Sequence, residues 1–242
     1  MSEPVMGRIH SIETLGAVDG PGLRYVVFVQ GCPLKCLYCH NPDSWDFNKG
    51  TLTNSKSVVE NIKPYIGFIK NGGVTISGGE PLAQPDFVLD IISRCHELGL
   101  HVAIDTSGAI NLGAVSHIID AADLLLLDIK AIDKDVFKEL TSVPNTATMK
   151  LLEYTRVTNK PIWIRHVLVP GYTLDTTQLE KLADFLMLYP NIEKVELLPF
   201  HKMGEYKWQE LGKEYKLFDT REPTLEEVKD AEDIFRKRGL IK

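Results

Sequence analysis

Three of the four cysteines lie close together in the stretch Gly31-Cys32-Pro33-Leu34-Lys35-Cys36-Leu37-Tyr38-Cys39-His40-Asn41. Their spacing is Cys-x3-Cys-x2-Cys, and they follow the apolar run 25–29, which predicts a strand. Thiolates select zinc, copper(I) or iron–sulfur clusters over magnesium and calcium. The stretch therefore predicts a metal centre in the loop that follows a strand.

The number of thiols indicates an open coordination position. A structural zinc ion or a cysteine-ligated cluster ordinarily takes four protein ligands. The remaining cysteine, Cys95, falls on the apolar face of a predicted helix over 85–98, where cysteine usually acts as a small buried hydrophobe. Three thiolates therefore leave one position open, which is typical of a catalytic centre rather than a structural one.

A structural zinc module is the alternative at this point. His40 directly follows Cys39 and could supply a fourth ligand, although adjacent residues rarely reach one tetrahedral metal. Zinc fingers and ribbons also pair two short knuckles, and the sequence has no second one.

The elements that would position these residues alternate between strands and helices. Apolar runs predict strands at 25–29, 74–77, 101–106, 123–130, 162–169 and 194–200. Helical periodicity predicts helices at 57–70, with Pro64 interrupting it, and at 85–98, 112–121, 133–142, 147–158 and 176–188, with a last helix that begins at Thr224. The stretch 7–20 has no clear pattern. Six strand–helix units are fewer than the eight of a closed TIM barrel. The predicted fold is α/β, a partial (β/α)6 TIM-like barrel of parallel strands, open on one side, in one domain over 1–242.

Polar residues follow the predicted strands, at the edge where parallel α/β folds bind ligands. Asp128 and Lys130 alternate with Ile129, so both side chains face one side of the sheet, and burial there requires a partner or a ligand. Arg165 lies in the fifth predicted strand, and burial of its charge would likewise require a partner or a ligand. Three positions keep a structural alternative: Asp105-Thr106 as a turn cap, His201 as a packing histidine, and Asp19 as a turn-former.

Length and charge limit the classes of function. The 242 residues are 44% hydrophobic, and the net charge of −6 comes without a basic cluster, which argues against a nucleic-acid partner. No apolar run is long enough to span a membrane, and residues 1–8 lack the apolar centre of a signal peptide. Clustered thiols in a chain that stays inside the cell are expected to be metal ligands, and the expected compartment is the cytoplasm.

Motifs over essentially the whole chain resemble the radical S-adenosylmethionine (SAM) superfamily. The cysteine spacing with Tyr38 before the last cysteine resembles its signature, and Ser77-Gly78-Gly79-Glu80-Pro81 resembles its GGEP motif. The flanks Asp19-Gly20-Pro21-Gly22-Leu23-Arg24 and Cys39-His40-Asn41 resemble the glycyl-radical-enzyme activases. The likeness continues through 128–130, 163–165, 196–201 and 214–217.

The resemblance implies two cofactors. A [4Fe–4S] cluster would bind Cys32, Cys36 and Cys39, and its open iron would chelate SAM. The resemblance places the following residues around SAM: Gly78, Gly79 and Glu80 at the amino end, Tyr38, Cys39 and His40 along the adenine, and Asp128, Ile129, Lys130 and His201 at the carboxylate or nucleoside. It also implies a monovalent cation held by Asp105, Thr106 and Asp128.

The resemblance further implies the reaction and its partners. Reductive cleavage of SAM would yield a 5′-deoxyadenosyl radical that removes a Cα hydrogen from a glycine of a partner enzyme, with Lys130 and Arg165 among the catalytic residues. Asp19 and Arg165 would receive the partner, and flavodoxin or ferredoxin would donate the electron. Many activases carry an insertion with extra cysteines after the loop. Residues 40–73 contain none, which favours the pyruvate formate-lyase type of partner.

Overall fold

A computed structural model describes residues 3–241. Residues 1, 2 and 242 lie outside the described part, so the segment 1–8, which was expected not to be a signal peptide, is described only from residue 3 onward. It contains eight strands: β1 (Met6–Gly16), β2 (Arg24–Val29), β3 (Thr51–Asn54), β4 (Gly73–Gly78), β5 (Val102–Thr106), β6 (Leu124–Asp128), β7 (Ile162–Leu168) and β8 (Ile192–Pro199). It also contains nine α-helices within that range: α1 (Ser55–Ile62), α2 (Ile66–Ile69), α3 (Pro85–Glu97), α4 (Leu112–Ala121), α5 (Lys134–Thr141), α6 (Thr146–Val157), α7 (Thr176–Leu186), α8 (Glu205–Glu210) and α9 (Leu225–Arg236).

The strand order is β3-β1-β2-β4-β5-β6-β7-β8, with β3 and β8 at the two ends of the sheet. Strand β2 pairs in parallel with β4, β4 with β5, and β7 with β8, whereas β1 is antiparallel to β2 and to β3. All six predicted strands are present. The mostly parallel, unclosed sheet confirms the predicted α/β fold class.

Two strands were absent from the sequence prediction. Strand β1 covers most of the stretch 7–20, for which the sequence showed no clear pattern. Its exposed and half-buried positions lie between the buried glycines Gly7 and Gly16, and it has two register shifts against β2. Strand β3 has only four residues, mostly polar. Because neither strand is buried on both faces, neither has the apolar run that marks the parallel strands.

The contacts among the described residues divide them into two compact units. The first unit consists of the residues up to Pro33 and of Ser44–Leu126, and the second of Leu34–Asp43 and the residues from Leu127 onward. The prediction of a single domain over 1–242 stays a prediction. The first unit contains β1–β5 and α1–α4. Its predicted helix 57–70 is divided as Pro64 indicated, with a 3-10 turn, Lys63–Tyr65, between α1 and α2.

The second unit contains the cysteine loop from Leu34 to Asp43, strands β7 and β8, and helices α5–α9. Asp133 caps α5 by accepting from the amides of Asp135 and Val136, and Thr224 forms the predicted capping box with Glu227 at the start of α9. The short helix α8 was not predicted. None of the helices between residues 3 and 241 is long and apolar enough to cross a bilayer.

Candidate metal centre

The start of the cysteine loop is fixed by backbone hydrogen bonds within the first unit. The amide of Gly31 donates to the carbonyl of Ser44 over 2.7 Å, and that of Cys32 to the carbonyl of Trp45 over 3.3 Å. All four cysteines carry free thiols, and Cys32 is half-buried. The first thiol, that of Cys32, therefore lies in a loop of defined geometry directly after strand β2.

The rest of the loop is held within the second unit by α5 and α8. The amides of Lys35 and Leu37 donate to the carbonyls of Thr141 and Leu140, both over 2.9 Å. The Nε1 of buried Trp208 donates to the carbonyl of Cys39 over 2.9 Å. Both ends of the Cys36–Cys39 segment are therefore anchored to helices.

A half-buried charge pair lies beside Cys36 in the second unit. The Nζ of Lys130 donates to Oδ2 of Asp128 over 2.6 Å and lies 5.6 Å from the centre of the Tyr38 ring. Burial disfavours the ammonium form, but Asp128, Tyr38 and Cys36 outweigh burial and hold the pKa of Lys130 well above its usual value. Lys130 is therefore a permanent positive charge at this site.

The same ammonium acts on Cys36. Burial raises the pKa of the Cys36 thiol to about 12, and the charge of Lys130 works in the opposite direction. A thiol needs its thiolate form to bind iron or zinc. The charge of Lys130 therefore favours the thiolate form of Cys36, which is the form that the predicted metal ligand requires.

His40 and His201 are stacked in the second unit, with ring centroids 4.1 Å apart. His40 donates through Nε2 to the carbonyl of His201 over 3.2 Å, and burial together with His201 lowers the pKa of His40. The Nδ1 of His201 and the hydroxyl of Tyr38 are buried without a hydrogen-bond partner among residues 3–241. Buried polar atoms are ordinarily paired, so these two fit a site that a bound polar molecule completes.

The segment after β4 contacts the start of the cysteine loop within the first unit. The amides of Gly79 and Glu80 donate to the carbonyls of Val29 and Gly31 over 2.9 and 2.8 Å. A Cβ at Gly78 would lie 2.3 Å from the amide nitrogen of Val29, and one at Gly79 2.3 Å from the carbonyl oxygen of Gly31. Glycine is therefore required at both positions because the two backbone segments approach too closely for a side chain. The sequence did not reveal this reason.

The carboxylate of Glu80 is fully buried and binds protein donors. Its Oε1 accepts from the hydroxyl of Thr106 (2.6 Å) and the amide of Leu82 (3.1 Å), and its Oε2 from the hydroxyl (2.5 Å) and the amide (3.0 Å) of Ser107. Burial raises the pKa of Glu80, and these four hydrogen bonds oppose that shift. The side chain therefore joins the segment after β4 to the segment after β5.

Substitution of Glu80 by glutamine tests this arrangement. In either orientation of the glutamine side chain, its NH2 group faces the backbone amide of Leu82 or of Ser107, and an amide N–H cannot accept a hydrogen bond. An unsatisfied buried donor costs about 1–3 kcal/mol, so we expect Glu80→Gln to lower the free energy of unfolding by that amount. Urea denaturation measures the change, with exposed Glu97→Gln as the control. Equal midpoints for the two variants would show that the four hydrogen bonds contribute nothing.

The predicted cation ligands already have protein partners. Asp105 accepts from the hydroxyl of Ser77 over 2.8 Å, and Thr106 both donates to Glu80 and accepts from the amide of Gly108. Within residues 3–241, no group of three or more His, Cys, Asp and Glu side chains is arranged to hold a metal ion. The metal ligands and the cation site stay predictions.

The two residues predicted to receive a partner are both fixed. Arg165 donates through Nε to Oε2 of Glu196 over 3.1 Å, and Lys194 donates to Oε1 of the same carboxylate over 2.6 Å. In the first unit, the carbonyl of Asp19 accepts from the hydroxyl of Thr75 over 2.6 Å.

Strand β7 also contacts the predicted SAM residue Ile129. The amide of Ile129 donates to the carbonyl of Arg165 over 2.9 Å, and its carbonyl accepts from His166 over 2.6 Å. Sequence reasoning missed Trp208. It included Glu196 in a motif shared with the family but assigned it no contact with Arg165.

Comparison with known proteins defines the class first. The model of the family described as "4Fe-4S single cluster domain" matches residues 18–142. The structure of a radical SAM methyltransferase from Sphaerobacter thermophilus aligns with a TM-score of 0.65 at 17% identity, over 90% of this chain and 65% of that one. The chain therefore has the fold of radical SAM proteins and carries a 4Fe–4S domain.

Two relatives narrow the class to a family. The pyruvate formate-lyase-activating enzyme of Listeria monocytogenes serovar 1/2a is 42% identical over 238 residues, 95% of this chain and 96% of the relative. The enzyme of that name from Staphylococcus epidermidis is 44% identical over 244 residues, 97% of each chain. The chain belongs to the family of pyruvate formate-lyase-activating enzymes, which are radical SAM enzymes.

Proposed function

We propose that this protein cleaves SAM reductively and uses the resulting 5′-deoxyadenosyl radical to remove a Cα hydrogen from a glycine of pyruvate formate-lyase. The observation that carries the proposal is the cysteine motif itself. Its three free thiols lie in a loop that is hydrogen-bonded to Ser44 and Trp45 at its start and to α5 and α8 further along. The names of the relatives at 42% and 44% identity support the choice of partner.

The residues present suit the cofactors that this reaction needs. Cys32, Cys36 and Cys39 would hold a [4Fe–4S] cluster with one open iron, since the only other cysteine, Cys95, is fully buried on α3. The cluster would supply the electron that breaks the carbon–sulfur bond of SAM.

Protein groups would orient SAM rather than perform the electron transfer. We propose that Lys130 binds the SAM carboxylate or nucleoside with Asp128, Ile129 and His201. Buried Tyr38, half-buried Cys39 and exposed His40 would lie along the adenine. In the first unit, the backbone at Gly78, Gly79 and Glu80 would meet the amino group. The buried, unpaired atoms of Tyr38 and His201 support a polar ligand at these residues.

Further parts of the proposal rest on the sequence motifs. Asp105, Thr106 and Asp128 would bind a monovalent cation, and Asp19 and Arg165 would receive the glycine-bearing segment. Flavodoxin or ferredoxin would supply the electron. The proposed compartment is the cytoplasm, where thiols stay reduced.

The experiment is anaerobic incubation with SAM, a reductant and pyruvate formate-lyase. We expect a brown, sulfide-containing protein that generates a glycyl radical detectable by electron paramagnetic resonance. Deuterium placed at the Cα of the target glycine should appear in 5′-deoxyadenosine. If SAM is cleaved but no label is transferred from any glycyl-radical enzyme, the radical SAM chemistry stands and the activase role is refuted. A colourless protein that contains zinc would refute both the radical SAM chemistry and the activase role.

A further inference from the structure

Residue Ile129 lies between the charged residues Asp128 and Lys130, and both of its backbone groups are bonded to β7. Its amide donates to the carbonyl of Arg165 over 2.9 Å, and its carbonyl accepts from Nδ1 of His166 over 2.6 Å. In the described part of the chain, His166 is the only hydrogen-bond donor to this carbonyl. Strand β6 ends at Asp128, so the position of Ile129 depends on one backbone bond and one side-chain bond.

The imidazole of His166 is neutral and carries its hydrogen on Nδ1. The side chain is buried, with an exposed fraction of 3%, and burial lowers its pKa, so the ring stays neutral at physiological pH. A neutral imidazole has one nitrogen that donates and one that accepts. Because the carbonyl of Ile129 can only accept, Nδ1 is the donor and Nε2 is the acceptor.

The two hydrogen bonds fix the peptide planes on either side of Ile129. The amide that is bonded to Arg165 lies in one plane with the Cα of Asp128, and the carbonyl that is bonded to His166 lies in one plane with the Cα of Lys130. The first bond therefore orients Asp128 and the second orients Lys130. Because Nζ of Lys130 bonds to Oδ2 of Asp128 over 2.6 Å, a rotation of the second plane would also displace this charge pair.

His166 acts from the face of the sheet that the helices cover. It follows Arg165 directly on β7, and successive side chains of a strand point to opposite faces. Its ring lines a small cavity together with Ala131, Val136 of α5 and Gln178 of α7. His166 therefore reaches the proposed site through the backbone of Ile129 rather than by contact with a ligand on the face of Arg165.

We infer that His166 is a positioning residue for SAM, whose hydrogen bond to Ile129 holds Lys130 where its ammonium binds the cofactor. The inference rests on the proposed function, in which Lys130 binds the SAM carboxylate or nucleoside. The motif that resembles the family at 163–165 stops one residue before His166, so the role follows from the contacts of the ring alone. His166 does not itself touch SAM, and no covalent bond of the chain forms or breaks.

Two variants of the same shape test this role, because they separate the hydrogen bond from the bulk of the ring. The side-chain nitrogen of asparagine is bonded to Cγ, as Nδ1 of histidine is, whereas leucine has the branched shape of asparagine without a donor. Without the bond, the arrangement of Lys130 that binds SAM is less populated. We expect His166→Leu to weaken SAM binding about threefold to tenfold, the equivalent of one hydrogen bond, and His166→Asn to stay within about twofold of the wild type.

Three measurements follow the variants and the wild type. Titration of the reconstituted protein with SAM, read from the spectrum of the cluster, gives the affinity. Iron and sulfide per chain should equal the wild-type values in both variants, because His166 is not an iron ligand. Nuclear magnetic resonance of the histidine ring nitrogens in the protein without iron should show one ring with a slowly exchanging hydrogen on Nδ1. That signal should be missing from His166→Asn, and its presence in the wild type does not depend on whether His166→Leu folds.

Four results would overturn the inference. Wild-type SAM affinity in His166→Leu would show that the bond does not position Lys130, while the proposed function stands. Equal losses of affinity in His166→Leu and His166→Asn would mean that the ring acts through its bulk. A wild-type His166 with its hydrogen on Nε2, or a loss of iron from His166→Leu, would likewise contradict the role. Failure of the wild type with its cluster to bind SAM would refute the proposed function, and with it this inference.

Discussion

Replacement of Cys36 by serine is expected to remove the cluster and abolish glycyl-radical formation. Serine cannot supply the thiolate that binds iron, and only two thiols would remain in the loop. Cys36 is buried between segments anchored to α5 and α8, so no other cysteine can move into its place. Iron and sulfide per chain after anaerobic reconstitution measure the loss, and the same result is expected for Cys32 and Cys39.

Cys95→Ser is the matched control for that experiment. Cys95 is fully buried on α3, and burial alone raises its pKa to about 12, so its thiol stays protonated. We expect unchanged iron and sulfide, with only a modest loss of stability from the buried hydroxyl, on the order of 1 kcal/mol. A bleached Cys95→Ser protein, together with a dispensable cysteine in the loop, would refute the assignment of three ligands and an open iron.

Lys130→Met is expected to weaken SAM binding by about tenfold to a hundredfold, since a charged hydrogen bond contributes about 1.5–3 kcal/mol. Methionine preserves much of the buried volume but leaves Asp128 without its ammonium partner. The cluster should still assemble, because Lys130 is not an iron ligand. SAM titration followed by the spectrum of the cluster measures affinity, and iron content measures assembly.

The control for this variant is Lys134→Met, which removes an exposed lysine four residues further on, at the start of α5. It should leave SAM affinity unchanged. Equal affinity of Lys130→Met and the wild type would return Lys130 to a structural role, as the partner of Asp128.

The sequence was sufficient for the parts of the fold with a strong local pattern. The parallel strands are apolar over their whole length, and Pro64 and Thr224 give local signals for a helix break and a helix start. Strand β1 is half exposed and interrupted by register shifts, so its pattern is weak. Helix α8 has six residues and one buried side chain, too little for a helical period.

The site was predicted by motif, but its contacts were not. The alternation of Asp128 and Lys130 predicted only that each charge would need a partner or a ligand; the structure shows that the two side chains are hydrogen-bonded to each other. The contact of Trp208 with Cys39 joins residues that are far apart in sequence, so no local pattern could indicate it. The sequence likewise placed Glu80 in a motif without indicating that its carboxylate is occupied by Thr106 and Ser107.

The hydrogen bonds between the segment after β4 and the start of the cysteine loop have a consequence for engineering. Because the amides of Gly79 and Glu80 donate to the carbonyls of Val29 and Gly31, the end of β2 and the segment after β4 form one folded unit of two strands that leads into Cys32. A cysteine loop transplanted alone onto another parallel sheet would lose these two hydrogen bonds at its start. A graft must therefore carry both strand ends, with the glycines that let them touch, if the first thiol is to keep its place.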